Sequence, residues 1–97
     1  MNGLRMLSRS VKVANRLGLH ARAAARFVHL ASRFQSHVKV SRGSQTMDGK
    51  SIMGILLLAA AFGSVLTVST DGDDEQAALD ALCGFIETGF GEDTCSA

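Results

Sequence analysis

The spacing of apolar residues changes several times along this chain, and these changes constrain the fold more than any other feature of the sequence. Val11 and Val13 alternate with polar or small residues, which is the pattern of a half-buried β-strand that ends at Gly18. From Ala21 to about Ser36 the apolar residues instead recur three and four positions apart, as on one face of a helix. The first predicted unit is therefore a strand followed by a helix.

Alternation returns in the middle of the chain and predicts two paired strands. Val38 and Val40 alternate with polar neighbours. Gly43 and Ser44 are typical of a hairpin turn, and they lead into a weakly marked strand over residues 45–48. We therefore expect a hairpin in this region.

A short helix and a last strand are predicted next. Ser51 is suited to cap the helix, because its hydroxyl can accept a hydrogen bond from an amide of the first turn. Residues 52–58 are apolar around nearly the whole circumference, and Gly63 is predicted to end the helix. Leu66 and Val68 then alternate with their neighbours as a strand does.

A final helix is expected after the turn at Asp71 and Gly72, with a start that resembles a capping box formed by Asp73 and Gln76. Its apolar face consists of Leu79, Leu82, Cys83, Ile86 and Phe90. The order βαββαβα is predicted for one domain over residues 1–97. Since each strand has one polar face, helices cover only one side of the sheet. The expected fold is α+β, an open-faced two-layer sandwich with an antiparallel sheet.

Composition and charge exclude several classes of protein. Apolar residues make up 46% of the chain and charged residues 20%, which is typical of a folded globular domain. The net charge of +1 does not favour nucleic acid or anionic membranes, although basic residues crowd the first half and acids gather from Asp71 onward. RNA-recognition domains share the βαββαβ order but stack bases on aromatic residues of their strands. Here the five Phe residues lie on predicted helices or tails, so no nucleic-acid partner is expected.

The location of the protein is also predicted from apolar runs and cysteines. The longest apolar run, residues 52–62, is shorter than the roughly 20 residues that cross a bilayer. The N-terminal stretch lacks the apolar core of a signal peptide. Cys83 and Cys95 are expected to be free thiols, as in a reducing compartment. We therefore expect a cytoplasmic protein without membrane contact.

The segment Gly18-Leu19-His20-Ala21-Arg22 is the strongest indication of chemistry. It places His20 at the start of the first helix, where amide groups and the positive end of the helix dipole attract anions. An imidazole can be both nucleophile and leaving group for a phosphoryl group, and the Arg22 guanidinium can hold the phosphate oxygens. Reversible phosphorylation of His20 is the predicted chemistry. His29 and His37 have no ligand-like spacing with His20, so neither a metal nor a cofactor is expected.

This segment is followed by a second motif, Gly49-Lys50-Ser51-Ile52-Met53-Gly54. Together the two motifs resemble the HPr family, the histidine phosphocarriers of the bacterial phosphoenolpyruvate-dependent phosphotransferase system. The resemblance spans residues 11–93 and implies a four-stranded antiparallel sheet with three helices on one face. Leu17 and residues 89–93 resemble the nitrogen-regulatory branch, called NPr, whose phosphorylation state is read by partners and not used for sugar transport. The second motif resembles the carbohydrate branch equally, so both alternatives stay open.

The resemblance implies a role for each residue of the first motif. His20 matches the phosphorylated histidine, with the phosphoryl group on Nδ1. Arg22 matches the residue that stabilises the phosphate, together with the backbone amides of Ala21, Arg22 and Ala23. Ala23 stands where the family normally has proline, so this chain keeps an amide donor and loses some rigidity. The implied function is a stoichiometric carrier that accepts the phosphoryl group from phosphorylated Enzyme I and passes it to an EIIA-type acceptor.

The second motif implies docking and regulation. Ser51 matches the serine that HPr kinase/phosphorylase modifies in some bacteria. Ile52, Met53 and Leu56 match the apolar patch that docks partner proteins. Arg26 belongs to a mostly basic stripe along the first helix and is expected to face acidic partners. The protein is expected to act as a monomer.

Overall fold

The computed structural model describes residues 6–91 and contains the predicted elements in the predicted order. Glu92, Asp93 and Cys95 lie outside the described residues. The strands are β1 (Leu7–Lys12), β2 (His37–Arg42), β3 (Gln45–Asp48) and β4 (Val65–Asp71). The helices are α1 (Ala21–Ala31), α2 (Ile52–Leu57) and α3 (Glu75–Glu87).

The four strands form one antiparallel sheet in the order β1-β4-β2-β3. Val11 of β1 lies opposite Leu66 of β4, and Val40 of β2 lies opposite Val68 of β4. The alternation in the sequence therefore brings the apolar side chains of three strands onto one face. The buried residues of that face are Val11, Val38, Val40, Leu66, Val68 and Thr70.

The opposite face of the sheet is polar. The hydroxyls of Ser10 and Thr67 lie 3.3 Å apart, and those of Ser41 and Thr46 lie 3.1 Å apart. The helices cover the apolar face, where α3 contacts β1 and β4 while α1 contacts α2 and α3. The predicted α+β open-faced sandwich is confirmed.

α1 ends at Ala31, earlier than predicted, because the loop after it binds a side chain from the far end of the chain. The Asp74 carboxylate accepts hydrogen bonds from the amides of Gln35 and Ser36, at 2.8 and 2.9 Å, and from the Ser36 hydroxyl. The Ser36 hydroxyl and then the Gln35 amide hold the pKa of Asp74 below its ordinary value. Amides satisfied by a side chain do not extend the helix, and Phe34 is only half-buried in this loop.

The predicted capping box of Asp73 and Gln76 at the start of α3 is wrong. Asp74 precedes the helix and makes no side-chain hydrogen bond to it, since its carboxylate binds the loop after α1. Gln76 instead donates to Asp80 at 3.1 Å, and Asp80 also accepts from Arg9 of β1 at 2.8 Å. The local contact at this helix start is made by Glu75, whose carboxylate accepts from the Gly72 amide at 3.1 Å.

Two helices end before the apolar pattern does. α2 ends at Leu57, not at Gly63. α3 ends at Glu87, and Phe90 lies beyond it with a positive φ of 58°. The Phe90 ring is nevertheless fully buried and meets the Phe85 ring edge-on, with 5.8 Å between centroids. The apolar pattern therefore predicted the burial of Phe90 correctly, although the backbone there is not helical.

Cys83 lies on the buried face of α3. It is a free thiol, as predicted, and it is completely buried. Burial raises the pKa of this thiol, which keeps it protonated and a poor nucleophile at neutral pH. Cys83 is therefore a packing residue.

Candidate functional site

The loop before α1 is held in place by backbone contacts. Gly18 has a φ of +68°, and a Cβ there would lie only 2.6 Å from the carbonyl oxygen of Ala60, so the position requires glycine. The Leu19 amide donates to the same Ala60 oxygen at 2.8 Å. The Asn15 side-chain amide donates to the Gly18 carbonyl at 2.7 Å. Together these contacts fix the backbone that leads into His20.

His20 is the residue that caps the N-terminus of α1. Its backbone is extended, with φ −79° and ψ 177°, and its carbonyl accepts the first helical hydrogen bond, from Ala24 at 2.8 Å. The Ala23 amide lies 3.4 Å from Nδ1 and donates to it. Nδ1 therefore carries its lone pair in this arrangement and points toward the amides of the first turn. The ring is partly exposed, so a protein partner can reach it.

The two faces of α1 differ in polarity. One face is buried and consists of Ala23, Ala24, Phe27, Val28 and Ala31. The other is exposed and, with the turn that follows, presents the basic stripe predicted from the sequence: Arg22, Arg26, His29 and Arg33. No acidic residue lies in the first turn of the helix. Arg22 is therefore in the same turn as the His20 imidazole, and the local charge there is positive.

Arg26 makes a contact that sequence reasoning missed. Its Nη1 lies 3.4 Å from the carbonyl oxygen of Phe90, in the segment after α3. The guanidinium therefore donates to a carbonyl outside the helix, which adds a charge-assisted hydrogen bond between the two segments. The two residues are 64 positions apart, so no local pattern in the sequence indicates this contact. Arg26 ties α1 to the segment after α3 and is also exposed to a partner.

α2 begins with a cap like that of α1. The Ser51 hydroxyl accepts a hydrogen bond from the Gly54 amide at 3.1 Å, which is the capping role predicted for it. Ile52 and Met53 are exposed, by 45% and 68%. Leu56 is half-buried and packs against the core, while Leu57, which sequence reasoning did not select for docking, is 58% exposed. The exposed apolar side chains of α2 are therefore Ile52, Met53 and Leu57.

α1 and α2 lie side by side. Lys50, before α2, donates through Nζ to the carbonyl of Phe34, beyond the end of α1, at 2.7 Å. At the other end, Ala60 after α2 accepts from Leu19 before α1. The two helices therefore run in opposite directions, and the two sequence motifs lie at opposite ends of the helix pair.

Residues 6–91 show neither a metal-binding cluster nor a membrane-spanning helix. They contain no cluster of three or more His, Cys, Asp or Glu side chains that could hold a metal ion. None of the helices in this range is long and apolar enough to cross a bilayer.

The sequence matches a family model over most of its length. The model is described as the PTS HPr component phosphorylation site, and it matches residues 7–88. The phosphocarrier protein HPr of Cupriavidus necator is 53% identical over 87 residues, which cover 90% of this chain and 98% of that protein. The phosphocarrier protein NPr of Shewanella violacea is 38% identical over 86 residues, with 89% and 94% covered.

The fold matches solved structures of the same kind. The crystal structure of HPr-C-His from Thermoanaerobacter tengcongensis superposes with a TM-score of 0.85 at 42% identity, covering 90% of this chain and 98% of that one. The fold and the matched phosphorylation-site model define a small α+β phosphocarrier. The chain belongs to the HPr family of the phosphotransferase system. The NPr alternative is not favoured over HPr, since the similarity to NPr is lower.

Proposed function

We propose that His20 is the phosphoryl acceptor of this phosphocarrier and that Nδ1 is the atom phosphorylated. The supporting observation is the 3.4 Å contact between Nδ1 and the Ala23 amide, because it directs the nitrogen lone pair toward the N-terminus of α1. Enzyme I is the proposed donor, and an EIIA-type domain the proposed acceptor. The carrier is regenerated once per transfer and turns over no small molecule of its own.

Transfer requires no change in the number of protons on either protein. The Nδ1 lone pair attacks phosphorus as the donor's N–P bond breaks. The donor imidazole, protonated on its other nitrogen while phosphorylated, leaves as a neutral ring. His20 keeps its Nε2 proton, so its phosphorylated ring is in turn a good leaving group. In the next transfer phosphorylated His20 is the donor, and it passes the phosphoryl group to the EIIA-type acceptor by the same step.

The phosphoryl oxygens interact with the first turn of α1. In the phosphorylated state they replace the contact between Nδ1 and the Ala23 amide, and they face the amides of Ala21, Arg22 and Ala23. Helix-terminal amides and the dipole favour the added negative charge. The Arg22 guanidinium supplies a charge-assisted hydrogen bond to the same oxygens.

Phosphorylation of the His20→Ala variant tests this proposal. The wild type incubated with phosphoenolpyruvate and Enzyme I gives an acid-labile, base-stable phosphoadduct, and His20→Ala gives none. His29→Ala is the matched control, because His29 is exposed on the same helix, and it is phosphorylated like the wild type. An unmodified wild type, or an adduct that survives in His20→Ala, contradicts the assignment. Circular dichroism of each variant verifies the fold.

Ser51 is proposed as a second, regulatory phosphorylation site for an HPr kinase/phosphorylase. Its hydroxyl lies at the N-terminus of α2, where a phosphate is electrostatically favourable, so the modification leaves the helix intact. The added charge lies next to the exposed Ile52 and Met53, which with Leu56 and Arg26 form the proposed docking surface. The added negative charge repels acidic partners from this docking surface.

We also propose that the protein acts as a monomer in the cytoplasm.

A further inference from the structure

Asn15 is a buried polar residue in the loop before α1, and only 1% of it is exposed. Burying a side-chain amide costs free energy unless the amide is hydrogen-bonded. The Asn15 Nδ2 donates to the Gly18 carbonyl at 2.7 Å, and the Asn15 carbonyl accepts from the Gly18 amide at 3.1 Å. Asn15 therefore holds Gly18 by two hydrogen bonds, at a depth that no partner protein reaches.

The peptide unit between Gly18 and Leu19 is held at both of its polar atoms. Its oxygen accepts from the Asn15 side chain, and its nitrogen, the Leu19 amide, donates to the Ala60 carbonyl at 2.8 Å. A peptide unit is planar and rigid, so fixing both atoms fixes the orientation of the whole plane. The Asn15 side chain therefore orients a peptide plane that only Leu19 separates from His20.

The same Gly18 oxygen also contacts the backbone of the reacting residue. The His20 amide donates to it at 3.0 Å, and a carbonyl oxygen has two lone pairs, so it can accept from Asn15 and His20 together. The turn from Gly18 to His20 spans only three residues and does not allow a straight hydrogen bond, which weakens the contact. The position of the His20 backbone therefore depends on the direction in which Asn15 holds this oxygen.

The position of the His20 backbone in turn determines where the imidazole lies at the start of α1. Nδ1 is 3.4 Å from the Ala23 amide, a contact that leaves little room for a displaced ring. Phosphoryl transfer requires the Nδ1 lone pair to be aligned with the phosphorus at roughly 3–3.5 Å. A shift of the loop therefore slows the chemical step, while the exposed side chains that a partner contacts stay in place.

We propose that Asn15 is a positioning residue for phosphoryl transfer: through the Gly18 carbonyl it sets the place of the His20 imidazole and so the maximum rate of transfer. The proposal rests on the proposed function of His20. Because Asn15 is buried, it contributes nothing to the association of the two proteins. Removing its side chain therefore lowers kcat and leaves KM for the donor reaction unchanged.

The experiment compares Asn15→Ala with the wild type and with Thr70→Ala. Thr70 is a matched control, because it is also fully buried and its hydroxyl donates to a backbone carbonyl, that of Glu75, at 2.9 Å. It pairs with Leu7 at the start of β1, at the end of the sheet away from the loop that leads to His20. Both variants lose a buried hydrogen bond, so both are expected to unfold at a lower temperature.

Rapid-quench measurement of transfer from phosphorylated Enzyme I, at increasing carrier concentration, gives kcat and KM below the unfolding temperature of each variant. We expect kcat to fall about tenfold in Asn15→Ala, with KM within about twofold, and both constants to stay near the wild type in Thr70→Ala. Hydrogen exchange followed by NMR gives a second signature. The His20 amide exchanges faster in Asn15→Ala and at the wild-type rate in Thr70→Ala. Asn15→Asp, which keeps the shape and loses the donor, replaces Asn15→Ala if the latter does not fold.

The outcomes separate this proposal from the proposed function. A wild type that is not phosphorylated on His20 overturns both. If the wild type is phosphorylated, an unchanged kcat in the Asn15 variant, or a change confined to KM, overturns the positioning role alone. An equal fall of kcat in Thr70→Ala also overturns it, because the effect is then one of general destabilisation.

Discussion

The N-termini of α1 and α2 have the same geometry and different chemistry. In each, the capping side chain accepts from the amide three positions later, at 3.4 Å for His20 and Ala23 and at 3.1 Å for Ser51 and Gly54. Each start therefore offers amides and a positive dipole to an anion. A neutral imidazole attacks phosphorus unaided, whereas a serine hydroxyl requires a base to accept its proton. Both helix N-termini therefore favour a bound phosphate. The capping side chain determines whether it can attack phosphorus directly, as an imidazole can, or needs a base, as a serine hydroxyl does.

The start of α3 shows the limit of this comparison. Its capping residue, Asp74, also has a side-chain oxygen acceptor, but the carboxylate binds Gln35 and Ser36 in the loop after α1. A residue suited to capping by its chemistry is therefore used to join two elements. Tertiary contacts therefore determine whether the capping side chain of a helix belongs to a phosphate site or joins two elements of the fold.

The largest effect in this comparison is expected for Arg22→Ala. If the α1 start is a phosphate site because of its charge as well as its amides, removing the guanidinium slows phosphoryl transfer by roughly 10- to 100-fold. Rapid-quench measurement of transfer from Enzyme I gives the rate. Arg33→Ala is the matched control, since Arg33 is on the basic stripe but beyond the end of α1. Equal rates for the two variants would remove Arg22 from the site.

A smaller effect is expected for the α2 start. Ser51→Asp keeps a capping oxygen and adds a negative charge beside Ile52 and Met53, so we expect KM for Enzyme I to rise about tenfold without loss of fold. Ser51→Ala has the opposite profile: an unchanged KM and a loss of about 1 kcal/mol in the free energy of unfolding. Steady-state kinetics and urea unfolding distinguish them. An unaltered KM in Ser51→Asp rules out regulation by charge.

The smallest effect is expected for Ala23→Pro, which removes the amide that contacts Nδ1. The phosphorylated variant loses one donor to the phosphoryl oxygens, and we expect its phosphohistidine to hydrolyse roughly two- to fivefold faster. Proline in the first turn is compatible with the helix and changes stability by no more than about 1 kcal/mol. Phosphorus NMR follows the decay. Ala23→Gly keeps the amide and should match the wild type; identical lifetimes in all three proteins exclude a role for this donor.

Much of the fold could be predicted because its signals are local. The alternation at Val11, Val38 and Val40 and the helical spacing after Ala21 record which face of each element is buried, and burial of those faces drives folding. The position of His20 followed from Gly18 and the change of period. The predicted boundaries failed at Ser36 and at the start of α3, where Asp74 bonds across the chain.

The sequence by itself determined the order of elements, the apolar face of each and the two motifs, because all of these depend on residues a few positions apart. Only the tertiary structure decided that Arg26 joins α1 to Phe90, and that the loop before α1 packs against the loop after α2. Those contacts depend on the packing of distant segments, whose energy is the small difference between burial and chain entropy. The spacing of residues along a short stretch of sequence therefore does not predict these contacts.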